Sequence, residues 1–154
     1  MANPWLYLIF ITLVPGIELR GAIPYGIFEG SLNPVNVFVV AVLTNILVIY
    51  PAFIFLDIVF DIAMRVPLVK RYIKKTQRKA KPYVDKYGVI GLAFFVAIPL
   101  PGTGAYSGAL AAHLFGMKNK KAFIAISFGV LTAGILVFLI STIFHESLGW
   151  LLGP

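Results

Sequence analysis

The distribution of apolar residues divides the chain into six apolar segments, of which two are long enough to cross a bilayer. Residues 35–60 and 122–144 are almost continuously apolar, and each exceeds the roughly 20 residues that a spanning helix needs. The remaining segments are shorter and cover residues 5–14, 21–32, 88–98 and 103–117. Because a helix of about ten residues reaches the middle of a bilayer and no further, we predict that the short segments pair into two hairpins.

The short segments of each pair are joined by a stretch rich in proline and glycine. The first stretch is PGIELRGAIP, residues 15–24, and the second is IPLPGTGAYSG, residues 98–108. Irregular backbone at membrane depth is tolerated only where protein covers it or where it lines a cavity. We therefore predict two re-entrant hairpins whose tips meet near the bilayer midplane.

Between the two halves the chain changes from apolar to basic. Residues 65–86 carry nine of the 13 Lys and Arg residues of the chain. Apolar and aromatic positions recur there at about helical spacing, at Tyr72, Ile73, Thr76, Ala80 and Tyr83. This pattern predicts an amphipathic basic helix at the membrane surface, bracketed by Pro67 and Pro82.

The positive-inside rule favours re-entrant hairpins over four complete crossings. If each hairpin returns to the side it entered, residues 65–86 and the basic cluster at 118–121 share one face and hold every Lys and Arg except Arg20. Four crossings would place these clusters on opposite faces. We therefore predict that residues 65–86 are cytoplasmic and that both termini lie outside. Because no Lys or Arg precedes Arg20, the positive region of a signal peptide is missing, and we expect the N-terminus to be retained.

The predicted fold class is an all-α integral membrane protein, with one membrane domain over residues 1–154. Each half is a re-entrant broken helical hairpin followed by a transmembrane helix, and the halves have inverted topology, as in secondary transporters. The first half covers residues 4–62, a basic cytoplasmic connector covers 63–87, and the second half covers 88–147. The inverted repeat rests on hydropathy, since few positions match between the halves.

Composition supports a membrane protein and excludes several kinds of site. The chain is 60% hydrophobic and 12% charged, and it has no cysteine, which excludes disulfides, thiol catalysis and thiolate metal sites. No metal-ligand spacing or nucleophile triad is present, so we expect neither an enzyme nor a metal or other cofactor. The net charge of +7 lies mainly beside a span, which indicates contact with anionic membrane lipid rather than nucleic acid. So apolar a chain also predicts a homo-oligomer, such as a dimer.

Glu18 and Arg20 are the main candidates for function in the first tip. An ionisable group at membrane depth is costly and by default lines a pathway. Two residues that are two positions apart would not face each other on a helix, but in an irregular tip they can converge on one cavity. A mutual ion pair, or pairs with freed backbone carbonyls, that only pins the tip is the alternative, and it stays open.

The second tip offers hydroxyl groups and glycines instead of charges. Thr103, Tyr106 and Ser107 supply hydroxyls, while Gly102 and Gly104 let the backbone approach a ligand. Backbone amides at the start of the return arm, with the positive end of its helix dipole, would suit a phosphate or carboxylate. Close packing of the two tips explains the same residues equally well.

A proton relay is a further hypothesis for three titratable residues near the basic face. Asp57 and Asp61 have i, i+4 spacing and could exchange protons as a pair, although anchoring the span near Arg65 is the favoured interpretation. His113 could join such a relay or simply form a hydrogen bond. For Asn45, in the middle of the first span, we predict an interhelical hydrogen bond.

Two segments resemble a known family. GIELRGAIPYGI in the first hairpin and FVAIPLPGTGAYSGALAA in the second resemble the signature regions of the prokaryotic small multidrug export protein family. That family is similar, in its paired re-entrant hairpins, to the DedA and VTT-domain superfamily, whose members act as polyprenyl-phosphate flippases or lipid scramblases. The resemblance implies a multi-pass transporter in a prokaryotic plasma membrane. It also implies a central site formed by Glu18, Arg20, Pro24, Pro99, Pro101, Gly102 and Gly104.

Two functional hypotheses of different classes follow. The first is a proton- or ion-coupled transporter with a midplane site at the hairpin tips, in which Glu18 is the protonatable group and Arg20 is an anion contact or a counter-ion. Its substrate is either a lipid phosphate or an amphipathic drug cation. The second is a non-transporting membrane scaffold that recruits anionic lipid or partners through residues 65–86.

Overall fold

Helices make up nearly all of the described residues, 3–29, 32–117 and 119–152, of the computed structural model, and no strand occurs among them. The helices are α1 (Pro4–Leu13), α2 (Glu18–Phe28), α3 (Pro34–Ala63), α4 (Pro67–Ala97), α5 (Ala105–Phe115) and α6 (Asn119–Leu152). The prediction of an all-α chain is confirmed. Gly30 and Ser31, from the predicted loop after the first hairpin, and Lys118, from the second basic cluster, lie outside the described residues.

The two helices predicted to span the membrane are α3 and α6, the only described helices that are long and apolar enough to cross one by length and composition. They run antiparallel: the Phe38 and Phe138 rings lie 5.4 Å apart, and Gly134 packs against Val42 one turn further along. The side chain of Asn33 caps the first turn of α3 by accepting hydrogen bonds from two backbone amides. These two helices form the frame against which both hairpins pack.

The first hairpin consists of α1 and α2, which also run antiparallel. Tyr7 lies beside Tyr25, with ring centroids 6.3 Å apart, and Leu8 packs closely against Gly26. The hairpin turns after Leu13 because Pro15 has no N–H to continue the helical ladder and Gly16 adopts a φ of 87°, which favours glycine. The second break predicted from the sequence likewise separates α4 from α5, where Gly102 has a φ of 86°.

The basic segment differs from its prediction. A surface helix ending at Pro82 was expected, but α4 is one helix of 31 residues that contains Pro82 and continues to Ala97. Its first half is basic and its second half is apolar. The expected boundary at Pro82 is wrong. A proline inside a helix leaves the carbonyl four residues earlier, here that of Arg78, without its partner and crowds it with the ring. Because both Pro82 and Arg78 are exposed, the helix accommodates this and continues.

Buried side chains concentrate where the hairpins cross α3 and α6, while the outer surface is apolar. Large apolar side chains such as Leu47, Ile124 and Phe128 are mostly exposed on the long helices. Contiguous exposed apolar surface of this extent marks contact with lipid or with another protein. Together with the two long apolar helices, it identifies a membrane protein, whereas the inverted repeat and the re-entrant placement of the hairpins stay predictions.

Candidate functional site

Glu18 begins α2 directly after the first break, and its side chain is only 2% exposed. Its φ of 52° is the one positive value of a non-glycine residue among those that the structure describes. Such a conformation costs an L-residue about 1–2 kcal/mol and persists only where its surroundings fix it. Here the second hairpin and α3 hold Glu18 in this conformation.

The Glu18 carboxylate caps the N-terminus of α5. Its Oε2 atom accepts a hydrogen bond of 2.9 Å from the Ala105 amide, and its Oε1 atom accepts a longer one of 3.4 Å from the Tyr106 amide. The helix starts after Gly104, which has no side chain that could cap it, and a Cβ at Gly104 would overlap the carboxylate. A negative side chain from the first hairpin thus satisfies the free amides of the second.

Asn45 of α3 is the third group around this carboxylate. Its Nδ2 atom donates a hydrogen bond of 3.3 Å to Oε2 of Glu18, and its side chain is fully buried. Its Oδ1 atom has no partner within the described residues. The predicted interhelical hydrogen bond therefore exists, and it connects the first span to the charged tip.

Arg20 binds the opposite end of the second break. Its Nη2 atom donates to the carbonyl oxygens of Val96 (2.9 Å) and Ile98 (3.2 Å), to the Thr103 carbonyl, and to the Thr103 hydroxyl (3.3 Å). Its Nη1 atom lies 3.5 Å from Oε2 of Glu18. Because α4 ends at Ala97, the cation meets the carbonyls at the negative end of that helix.

The charges of the first tip therefore complement the two helix ends of the second. Glu18 lies at the positive N-terminus of α5, and Arg20 lies at the negative C-terminus of α4. The amides that were predicted to suit an anionic group meet the Glu18 carboxylate. Both structural alternatives from the sequence, a mutual ion pair and bonds to freed carbonyls, are present together.

The hydroxyl groups of the second tip have separate partners. Tyr106 donates 2.8 Å to the Leu13 carbonyl and so ties α5 to the end of α1. Thr103 donates to the Ile98 and Leu100 carbonyls within its own break. Ser107 accepts from the Gly104 amide at 2.7 Å, which closes the first turn of α5. Two of these hydroxyls thus join the hairpins directly: Tyr106 through Leu13, and Thr103 by accepting from Arg20.

A cavity of about 650 Å³ lies between the two tips and α3. Glu18 is the one charged residue in its wall, and Tyr106 and Ser107 add hydroxyl groups. The remaining wall is apolar or glycine and consists of Pro15, Gly16, Val48, Pro51, Ala52, Phe55, Leu56, Gly102 and Leu110. The arrangement is an apolar chamber with one carboxylate.

The other candidate site residues do not line this cavity. Pro24 lies inside α2, and the break between α4 and α5 contains the rest: Pro99, Pro101, Thr103 and Gly104. Arg20 is also absent from the wall. Six of the ten candidate substrate- or ion-binding residues therefore lie outside the cavity wall.

The structure brings His113 and Asp57 together but not Asp61. Nε2 of His113 lies 2.8 Å from Oδ1 of Asp57, and Nδ1 lies 3.0 Å from the Ala109 carbonyl. Phe53 and Phe60 flank the imidazole, with centroid distances of 5.6 Å and 5.3 Å. Both ring nitrogens of His113 therefore face oxygen atoms, one on α3 and one in the preceding turn of α5. No hydrogen bond from Asp61 reaches either residue in the described part of the chain.

Asn45 contacts the candidate site, although the sequence analysis did not include it among the site residues. The predicted hydrogen bond between helices is present, and its acceptor is the charged group of the site itself. The available signal was an amide in the middle of an apolar span. Among the described residues no group of three His, Asp or Glu side chains could hold a metal ion.

Comparison with known proteins assigns the chain to one family. The model of the family described as "Putative small multi-drug export protein" matches residues 18–136, well over half of the chain. The match includes Glu18, Arg20 and the whole second break. Neither the curated proteins nor the solved structures contain a significant match.

Proposed function

The chain belongs to the small multi-drug export protein family, and we propose that it is a transporter whose substrate binds in the cavity between the two hairpin tips. Both hairpins are re-entrant in this proposal, and their tips lie near the bilayer midplane. The two halves form an inverted repeat, in which such a central site is expected. Export is not an enzymatic reaction, and the proposal includes no catalytic residue.

The observation that carries the proposal is the buried carboxylate of Glu18 in an otherwise apolar cavity. A carboxylate at membrane depth is expensive and marks a substrate or ion pathway. Here it is reached from the cavity on one side and held by α5 amides and Asn45 on the other. A bound substrate can therefore interact with a charge that the protein has already oriented.

The wall of the cavity favours an amphipathic cation over a lipid phosphate. Its apolar residues suit a large hydrophobic body, and Glu18 suits a positive charge. A phosphate would need a cation, but Arg20 is absent from the wall and is bonded to the carbonyls of Val96, Ile98 and Thr103. In this proposal the chain therefore resembles the flippases in the arrangement of its hairpins and not in its substrate.

Proton coupling is supported by the surroundings of Glu18. A protonated Glu18 needs an acceptor for its O–H, and Oδ1 of Asn45 is a buried acceptor without a partner in the described residues. A half-turn of the Asn45 amide exchanges Nδ2 for Oδ1, so Asn45 can donate to the ionised carboxylate or accept from the protonated one. Proton and cation then compete for one carboxylate, which is the basis of exchange.

Two further observations support the proposed topology. Lys121 of the second basic cluster lines one cavity with Arg78, Lys81 and Lys86 of the first, so both clusters lie at the same end of the molecule. At the other end Phe28 packs against His145, with ring centroids 5.5 Å apart. The basic end is cytoplasmic in this proposal. The His113–Asp57 hydrogen bond is the part of the predicted proton relay that the proposal keeps.

Transport in proteoliposomes tests the function. We expect the wild type to move a fluorescent lipophilic cation, such as ethidium, against a pH gradient, and Glu18→Gln to lower that rate at least about tenfold. Glu29→Gln removes an exposed carboxylate from the end of the same helix and is the matched control. Wild-type transport by Glu18→Gln would refute the assignment of the site.

A further inference from the structure

Two adjoining cavities lie beside the middle and the second half of α4, and they differ in polarity. The basic cavity, of about 640 Å³, has one acidic wall residue, Asp85, and four cationic ones: Arg78, Lys81, Lys86 and Lys121. The apolar groove, also of about 640 Å³, is lined by aromatic, aliphatic and glycine residues that include Tyr83, Gly91, Leu92 and Phe95. The two share Val84, Tyr87, Gly88, Phe115 and Met117. We propose that together they bind one anionic phospholipid, with its headgroup in the basic cavity and an acyl chain in the apolar groove.

The excess of positive charge in the basic cavity favours an anionic ligand. None of its four cations forms an ion pair among the residues that the structure describes. The salt bridges there join Arg20 to Glu18 and His113 to Asp57. The Lys86 ammonium lies 5.0 Å from the centroid of the Tyr87 ring, on the wall that both cavities share. It is thus held at the junction where a lipid phosphate would lie.

The length of the groove identifies a lipid rather than a free phosphate. Its α4 wall extends from Ala80 to Phe95, which at 1.5 Å per residue is about 22 Å. One leaflet contributes roughly 15 Å of hydrocarbon, about half of the bilayer core. The groove therefore accommodates one acyl chain of one leaflet, whereas a soluble anion would leave this apolar wall uncovered.

The lipid site is separate from the proposed transport cavity. No residue lines both the tip cavity and either of these two cavities. Their walls come from α4, the end of α5 and the start of α6, and not from α1, α2 or α3. The proposal therefore does not depend on whether the chain transports a cation.

Lipid binding by the purified full chain in detergent tests the headgroup part. Native mass spectrometry would compare phosphatidylglycerol with phosphatidylcholine of identical chains, and we expect a preference of at least about tenfold for the anionic lipid. A pocket variant replaces its four cations: Arg78→Gln, Lys81→Gln, Lys86→Gln and Lys121→Gln. The matched control removes the same charge from elsewhere on α4: Lys70→Gln, Arg71→Gln, Lys74→Gln and Lys75→Gln. The pocket variant should lose the preference, and the control should keep it.

A substitution in the groove tests the acyl part. Gly91 lines the groove, and a Cβ there meets no atom within 4 Å, so we expect the ring of Gly91→Phe to enter the groove. This variant should weaken phosphatidylglycerol binding about fivefold or more. Leu47→Phe, at an exposed position of α3, is the control. The proposal would be overturned if the pocket and control variants lost binding equally, or if the two lipids bound equally well. It would also be overturned if millimolar inorganic phosphate displaced the lipid while Gly91→Phe had no effect.

Discussion

The carboxylate of Glu18 lies 2.9 Å from the backbone amide of Ala105, a residue 87 positions further along the chain. A side chain of the first hairpin thus supplies the N-terminal cap of a helix in the second. The same tip directs Arg20 to the Val96 and Ile98 carbonyls at the end of α4. Both helix ends of the second break are therefore completed by the first hairpin, and Glu18 also lines the cavity between the two tips.

Replacing Glu18 should reveal how much of the stability depends on this cap. Glu18→Ala leaves the α5 amides and Asn45 without their acceptor, so we expect the free energy of unfolding to fall by about 1–3 kcal/mol. Glu18→Gln keeps one carbonyl oxygen and should lose less. Thermal unfolding in detergent measures both, with the exposed Glu29→Ala as control. Equal melting temperatures for wild type and Glu18→Ala would show that the cap contributes nothing.

Gly104 should be coupled energetically to Glu18. A methyl group at Gly104 overlaps the carboxylate, so Gly104→Ala must displace it, at a cost of about 1–3 kcal/mol. In the Glu18→Ala background that overlap is gone, and the same substitution should cost clearly less. A double-mutant cycle on melting temperature gives the coupling, and Gly91→Ala, at a position with open space, is the control. Additive losses would contradict the predicted overlap.

Arg20 should not be replaceable by lysine. Its guanidinium serves three carbonyl oxygens and approaches Glu18 with its other terminal nitrogen, an arrangement that a single ammonium cannot reproduce. We expect Arg20→Lys to lower the free energy of unfolding by about 1–3 kcal/mol. Arg71→Lys is the control, because it makes the same exchange at an exposed position of α4 where the side chain does not have to reach several acceptors at once. If both variants melt at the wild-type temperature, the carbonyl contacts do not stabilise the tips.

The sequence predicted the breaks and the long helices because proline, glycine and segment length act locally. Pro15 and Gly16 end α1 through backbone chemistry alone, and α3 is recognisable by its apolar length. The boundary at Pro82 failed because the penalty of an internal proline depends on exposure, which is a tertiary property. The partners of Glu18 and Arg20 could not be derived for a similar reason: residue type shows that a buried charge needs a partner, but not which distant backbone atoms supply it.

Cysteine labelling distinguishes re-entrant hairpins from complete crossings, and the chain has no native cysteine to interfere. Re-entrant hairpins place Lys79 and Lys121 on one membrane face and Glu29 on the other, whereas four crossings separate Lys79 from Lys121. All three side chains are exposed, so single cysteines there should leave the fold intact. With a membrane-impermeant maleimide on intact cells, Glu29→Cys should react, while Lys79→Cys and Lys121→Cys should react only after the cells are opened. Labelling of Lys121→Cys but not Lys79→Cys from outside would exclude the re-entrant arrangement. Because Arg78 and Lys81, on either side of Lys79, line one cavity with Lys121, that outcome would also require a different packing of α4 against α6.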